Sequence, residues 1–479
     1  MDRVLEAHGG RERLQAVERL MIAYRVSGSV ETTLSYWFDR RGNMRKQTDN
    51  AMGEWIIIHE KGGGWEQDDN GQVRRLELIE RGGGESDEAP LLLPYALGNK
   101  AHRLLEEPLA GVLRLSLAVG ELLRLSLDPD TGRVASSKRG KGKNRETWGY
   151  QDYREVDGLP FPWEVTLKSA QGAMTFHLVT LAVNPAWGQT FFSKPPERNR
   201  ARLTVQAVSK DDPQFSEHVS IPCQFDGSRA VITVKLNDDP APRRFLLDTG
   251  SNRTILAPRV AQSLRLQGVA MGEAEGFGNR GPQSSLVALT SIKLEGMEIT
   301  GLLTGVFQLP GGLDGILGYD VFRLAPFEID FDASTVRWYP KGYTPSPNMI
   351  ALEAPTPWRI PLLQVTLPAG LDEEKPFVAG FQWDTGNSGS WLLTRRWVKA
   401  HGWKERGTGM IGGVAGAERS GTVTLPWIRI AGVEIPNVQA QVFEELREYD
   451  GNVGMAFFRQ YFRRFVLDYE ARRAYLLPR

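Results

Sequence analysis

Cysteine is almost absent from this 479-residue chain; Cys223 stands alone, so no internal disulfide can form. A single thiol is compatible with a reducing or an oxidising compartment. An excess of charge is missing too. The 58 Lys and Arg residues balance 58 Asp and Glu residues, which leaves no long-range field to draw in nucleic acid or an anionic membrane. Six histidines are scattered without a metal-spaced pair such as His-Glu-x-x-His, so no metal centre is expected. Long apolar runs are also lacking. The best stretch, Leu109 to Leu127, carries Arg114, Glu121 and Arg124 and reads as a core element rather than an integral membrane segment. Met1-Asp2-Arg3-Val4-Leu5-Glu6 does not read as a signal peptide. The expected location is extracytoplasmic (periplasmic or secreted) if a signal peptide was removed, and cytoplasmic otherwise.

What remains is ordinary globular material, 41% hydrophobic and long enough for about two to four domains. Within it one tripeptide occurs twice in the same context. Phe245-Leu246-Leu247-Asp248-Thr249-Gly250-Ser251 is answered 136 residues later by Phe381-Gln382-Trp383-Asp384-Thr385-Gly386-Asn387. Asp314-Gly315-Ile316-Leu317-Gly318 maps onto Asp450-Gly451-Asn452-Val453-Gly454 at the same offset, and Gly276-Phe277-Gly278 onto Gly412-Gly413-Val414. A lone Asp-Thr-Gly is a weak signal, because Asp and Gly after an apolar strand ordinarily mark a turn. Three landmarks in register indicate a tandem repeat of one fold.

Each copy resembles a retropepsin-like lobe of the aspartic protease family, and the pair resembles the two-lobed pepsin-like arrangement. The motifs carrying the resemblance are the Asp-Thr-Gly strand end, the Gly-rich hairpin, and the apolar pair with Gly at the loop crossing. Closing strands follow in both copies, Phe327 to Phe331 with Val336 to Tyr339, and Phe465 to Tyr469 with Ala474 to Leu477. The resemblance implies a catalytic pair, Asp248 and Asp384, sharing one proton across a water with no metal or organic cofactor. Like charges so close cannot both ionise, so the titrations belong to the pair. It further implies flaps at Gly276, Phe277 and Gly278 and at Gly412, Gly413 and Val414, and loop-crossing glycines at Gly318 and Gly454. Thr249 and Thr385 would lock hydroxyl to backbone across the lobe junction. Gly250 and Gly386 would allow close approach to the carboxylates, and Ser251 would hydrogen-bond the outer oxygen of Asp248. Asp330 and Asp468 read as strand-end residues.

The second copy departs from that pattern. Asn387 stands where the family usually has Ser, Thr or Ala, and its amide can still offer a hydrogen bond. Trp383 precedes the aspartate where the first copy has Leu247. Asn452 replaces Ile316 and would need a partner if buried, at a cost of roughly 1–3 kcal/mol otherwise.

The first 195 residues read as a helical stretch, Arg3 to Val17, broken at Gly9-Gly10, then an antiparallel meander. Turn signals such as Arg41-Gly42-Asn43 and Asn70-Gly71 punctuate it. Leu91 to Leu105 loses the alternation and is expected to be helical. The basic cluster Lys138 to Arg145 reads as a solvated hairpin loop. This segment resembles the outer-membrane lipoprotein-carrier half-barrel, through Ala7-His8-Gly9-Gly10, Gly63-Gly64-Trp65, Leu127-Asp128-Pro129-Asp130-Thr131-Gly132 and Tyr153 to Pro162.

The expected architecture is mainly β: a half-barrel over residues 1–195, a first lobe over 196–345 and a second over 346–479. Together the lobes would form a pseudo-two-fold aspartic endopeptidase acting as a monomer on a polypeptide substrate. Two alternatives stay open. One is a non-catalytic peptide- or lipid-binding protein, with a lipid or lipoprotein ligand in the half-barrel. The other is a homodimer pairing like lobes between chains.

Overall fold

The structure, a computed structural model, describes residues 2–27, 31–50, 53–78, 80, 88–106, 111–117, 122–140, 145–169, 172–205, 218–272, 284–369, 375–413, 416–443 and 449–479. The chain forms two compact units, residues 1–198 and 199–479.

The first unit is built on one 13-stranded sheet. At its centre the strand Arg19–Ser27 pairs with Gly172–Val183. Antiparallel strands step outward from there, ending at Val73–Arg75 on one edge and Arg103–Glu106 on the other. Alternation buries one face: Leu20, Ile22 and Tyr24 lie beside Tyr36 and Phe38, under Leu14, Leu92, Leu93 and Tyr95 from the helical segments. The opening stretch is two helices, Asp2–Ala7 and Arg11–Ala16. Gly9 and Gly10 between them adopt φ of 100° and 88°, values that side-chain-bearing residues resist.

The helix expected over Leu91 to Leu105 is corrected: only Leu93–Gly98 is helical, and Arg103–Glu106 is an edge strand. Asn99 ends the helix by accepting the Ala101 N–H on its own side chain at 2.9 Å, a local bond that competes with further helical turns. Leu109 to Leu127 contains a hairpin of Val112–Ser116 and Leu122–Leu127, with Leu113, Leu115, Leu123 and Leu125 buried. Among the described residues no helix is long and apolar enough to cross a membrane. The basic cluster straddles another hairpin, with Arg139 paired to Glu146; residues 141–144 lie outside the described residues.

In the second unit each lobe brings an aspartate strand parallel to a short crossing strand. Asp239–Leu247 pairs with Gly315–Leu317, and Phe377–Asp384 with Gly451–Gly454. Phe245 stands opposite Gly315 and Phe381 opposite Gly451, the same register repeated. Glycine is required at both crossings, because a Cβ would lie 2.3 Å from the facing phenylalanine ring. Asp314 and Asp450 repeat one another as well, accepting the N–H of Arg244 and of Gly380 at 2.8 Å each.

A six-stranded sheet joins the lobes, in the order Val219–Pro222, Thr335–Trp338, Phe327–Asp330, Phe462–Asp468, Arg473–Pro478, Ile350–Glu353. Three strands come from each side of residue 345, in palindromic order. The middle pair is antiparallel, with Phe327 opposite Leu467 and Asp330 opposite Arg464. Asp330 and Asp468 end their strands and accept the N–H of Ala333 and of Ala471 at 2.9 Å each. One hydrophobic core runs through both lobes.

Candidate active site

The two aspartate strands end against each other, gripped by their threonines. Thr249 N–H donates to Thr385 Oγ1 at 2.9 Å, and Thr385 N–H to Thr249 Oγ1 at 3.0 Å. The hydroxyls pass the bond on, Thr249 to the Trp383 carbonyl at 2.6 Å and Thr385 to the Leu247 carbonyl at 2.7 Å. Both threonines are fully buried. Two reciprocal bonds between residues 136 apart, with the paired hydroxyl bonds beside them, define a local two-fold axis, and Asp248 and Asp384 flank it.

Each carboxyl sits over the glycine of the opposite lobe. A Cβ on Gly386 would lie 2.4 Å from Asp248 Cγ, and one on Gly250 would lie 2.6 Å from Asp384 Cγ. The glycines therefore make room for the other lobe's carboxylate, a closer demand than turn geometry. Burial, and then the charge and hydrogen bond of Asp384, hold Asp248 well above the ordinary carboxylate range; the N–H groups of Gly250 and Gly386 pull the other way. A water held by this pair would meet a proton acceptor and a proton donor together.

Lobe two adds a cluster of side-chain amides. Asn452, fully buried, donates from Nδ2 to Asp384 Oδ2 at 2.6 Å and to Gln382 Oε1 at 3.0 Å. Its Oδ1 accepts from Asn387 Nδ2 at 2.7 Å. The buried amide thus has its partners, and one is the carboxylate itself. Sequence reasoning flagged Asn452 as needing a partner but missed this role, and it missed Gln382 altogether. The available signal was an amide where the other copy has Ile316.

The aspartyl protease family model matches residues 232–321 and again residues 369–457. One matched stretch falls in each lobe, so both lobes are similar to that family. No curated protein sequence matches the chain. The crystal structure of an aspartic proteinase from Irpex lacteus is similar at 14% identity and a TM-score of 0.36, over 55% of this chain and 97% of that one. An outer membrane lipoprotein-sorting protein domain from Vibrio parahaemolyticus is similar at 11% identity and a TM-score of 0.28, over 38% of this chain and 93% of that one.

In the first lobe one expectation is corrected. Ser251 does not turn its hydroxyl toward Asp248; it donates to the Arg253 carbonyl at 2.7 Å, two residues on, where a serine readily closes a local turn. The loop-crossing glycines of both lobes are held tightly. A Cβ on Gly318 would lie 2.4 Å from the Arg253 oxygen, and one on Gly454 would lie 2.3 Å from the Gly389 oxygen. The next residues, Tyr319 and Met455, donate their N–H to the carbonyls of Ser251 and Asn387. Trp383, unlike Leu247, fills the second lobe with its ring stacked on Phe458 at 4.2 Å. Of the expected flap residues, Gly412 and Gly413 lie on the strand Arg406–Gly413. Gly276, Phe277, Gly278 and Val414 lie outside the described residues. Among the described residues no group of three or more His, Cys, Asp or Glu is arranged to hold a metal ion.

Proposed function

We propose that this protein is an aspartic endopeptidase that hydrolyses peptide bonds through water activated by Asp248 and Asp384. The observation carrying the proposal is the reciprocal seating of each carboxyl over the other lobe's glycine, with Asp384 helping to hold the Asp248 carboxyl well above its ordinary range. In this reading the ionised member takes a proton from water as it attacks the scissile carbonyl. The protonated member donates to the carbonyl oxygen. Asp, rather than His, suits a site where two like groups divide one proton and so present both states at once. The substrate would be an extended polypeptide, and because both aspartates come from one chain a monomer would suffice.

The test is cleavage of a denatured polypeptide by the purified chain across about pH 3 to pH 8, the span of documented carboxyl pairs, with a statine-type inhibitor as control. Bell-shaped activity lost in Asp248→Asn and in Asp384→Asn is expected. Absence of cleavage across that range would favour a peptide-binding protein that keeps the protease fold.

A further inference from the structure

The two carboxyls are held unequally, and the side-chain part of the inequality traces to one residue, Asn452. Asp384 accepts on both oxygens. Gly386 and Asn387 N–H reach Oδ1 at 2.8 and 3.0 Å, and Asn452 Nδ2 reaches Oδ2 at 2.6 Å. Asp248 accepts the Gly250 N–H at 2.9 Å and shares that of Gly386. At the position equivalent to Asn452, the first lobe offers Ile316, which donates nothing. Donors stabilise the ionised form of a carboxyl, whereas a buried carboxyl short of donors keeps its proton.

The amide of Asn452 can face only one way. Gly389 N–H donates to Asn387 Oδ1 at 2.8 Å, so Asn387 must present its NH2 to Asn452 Oδ1. That leaves the Asn452 NH2 for Asp384 Oδ2 and Gln382 Oε1. A flipped amide would set oxygen against two oxygens and NH2 against NH2. The relay starts at a backbone N–H and ends at the carboxylate, so it delivers a donor and nothing else.

Building on the peptidase reading above, we infer that Asn452 is a positioning residue that fixes Asp384 as the anionic member of the pair and leaves the shared proton on Asp248. Asp384 then receives the proton of the attacking water, and Asp248 gives its own to the carbonyl oxygen. The groups facing the pair fit that assignment. Across the junction stands Asp248; the neutral amides come from Gln382 on Asp384's own strand, Asn387 in the loop that follows it and Asn452 on the neighbouring strand. From the turn just past the strand Phe462–Asp468 comes Tyr469, whose phenol is raised well above its usual value by burial, by Tyr319 and by Asp248. It stays neutral wherever a carboxyl pair titrates.

The test is Asn452→Ile, which copies the first lobe, read by carboxyl ¹³C NMR of Asp-labelled protein. Signals are assigned with the two Asp→Asn variants, and the kcat/KM–pH profile is measured in parallel. Removing one donor should raise the first ionisation of the pair by about one pH unit, a tenfold change in proton affinity. The acid limb of kcat/KM should move with it and KM should hold nearly constant. Asn387→Ala, which unhooks the relay while leaving Asn452 in place, should shift both readouts the same way by less; it carries the test if Asn452→Ile does not fold. A merely structural role would lower stability without moving either. Unshifted ionisation in folded variants, or wild-type spectra placing the anion on Asp248, would overturn the inference. Protein that cleaves nothing yet titrates with the anion on Asp384 would sink the peptidase reading and keep this one. Active protein with the anion on Asp248 would do the reverse.

Discussion

The two lobes share a backbone register and spend their buried polar groups in different places. In the first lobe Asp320, 2% exposed, gathers the N–H and hydroxyl of Thr254, the latter at 2.6 Å. It thereby ties the loop after Asp248 to the short helix Tyr319–Phe322. The equivalent residues of the second lobe, Ser390 and Ala456, cannot make that pair. There the polar side chains sit one layer inward, as Asn387, Asn452 and Gln382 around Asp384. One lobe uses hydrogen bonds to brace the loop, the other to brace a carboxyl oxygen of Asp384. A duplicated scaffold tolerates this exchange because each buried polar group is satisfied in its own setting.

The largest effects should erase the difference between the lobes altogether. Asp248→Asn or Asp384→Asn should each lower kcat by roughly a thousandfold or more, and the double variant should be no worse, since the pair acts as a unit. Near-normal turnover in Asp384→Asn would make the second lobe a scaffold only. Gly250→Ala and Gly386→Ala should each displace the opposite carboxyl and cost at least about a hundredfold in kcat/KM. A tolerated alanine at either position would mean the carboxyls do not approach as described.

A third measurement separates the two aspartates by stability. With its carboxyl held above the ordinary range, folded Asp248 keeps a proton that the unfolded chain releases near about pH 4. Its contribution to stability is full below that pH and is lost as pH rises through the elevated folded value. Asp248→Asn removes the loss, so its Tm relative to wild type should climb between about pH 4 and neutrality, the range above the unfolded value. A flat difference would show that Asp248 is not the proton's seat.

Smaller still, Asp320→Ala should destabilise by about 1–3 kcal/mol in denaturant titration, because the Thr254 N–H loses its acceptor. Ser251→Ala should cost only about 0.5–1.5 kcal/mol and leave the pH profile of cleavage in place, since that hydroxyl serves a backbone carbonyl. A shifted profile would return Ser251 to the carboxylate.

Much of this was readable from the chain. Asp-Thr-Gly in duplicate exposes the grip and the glycine seats because those contacts are made by residues adjacent in sequence to each aspartate. The alternation of Leu20, Ile22 and Tyr24 likewise marks a half-buried strand directly. What escaped reading depends on competition or on distant pairing. A serine close in sequence to several carbonyls and to an aspartate can bond any of them, and for Ser251 only the folded loop decides for the Arg253 carbonyl. Asn99 diverts the chain through its own side chain, an outcome that apolar content over Leu91 to Leu105 does not reveal. The contact of Asn452 with Asp384 requires two strands 68 residues apart to lie side by side. Sequence could state that Asn452 wanted a partner, but not which one.

The palindromic sheet between the lobes has a consequence for any attempt to make them separately. Ending the chain near residue 345 would leave Phe327–Asp330 with the edge that now pairs with Phe462–Asp468 open to solvent, and an open edge is a template for other strands. Because the strand it has lost is its own structural counterpart, a second copy of the fragment offers nearly the same complement. Halves made apart should therefore self-associate or complement each other rather than stay single. In the intact chain the covalent link sets a high effective concentration of one lobe for the other. It is that tether, more than the chemistry of the strands, that brings unlike carboxyls together in preference to identical ones.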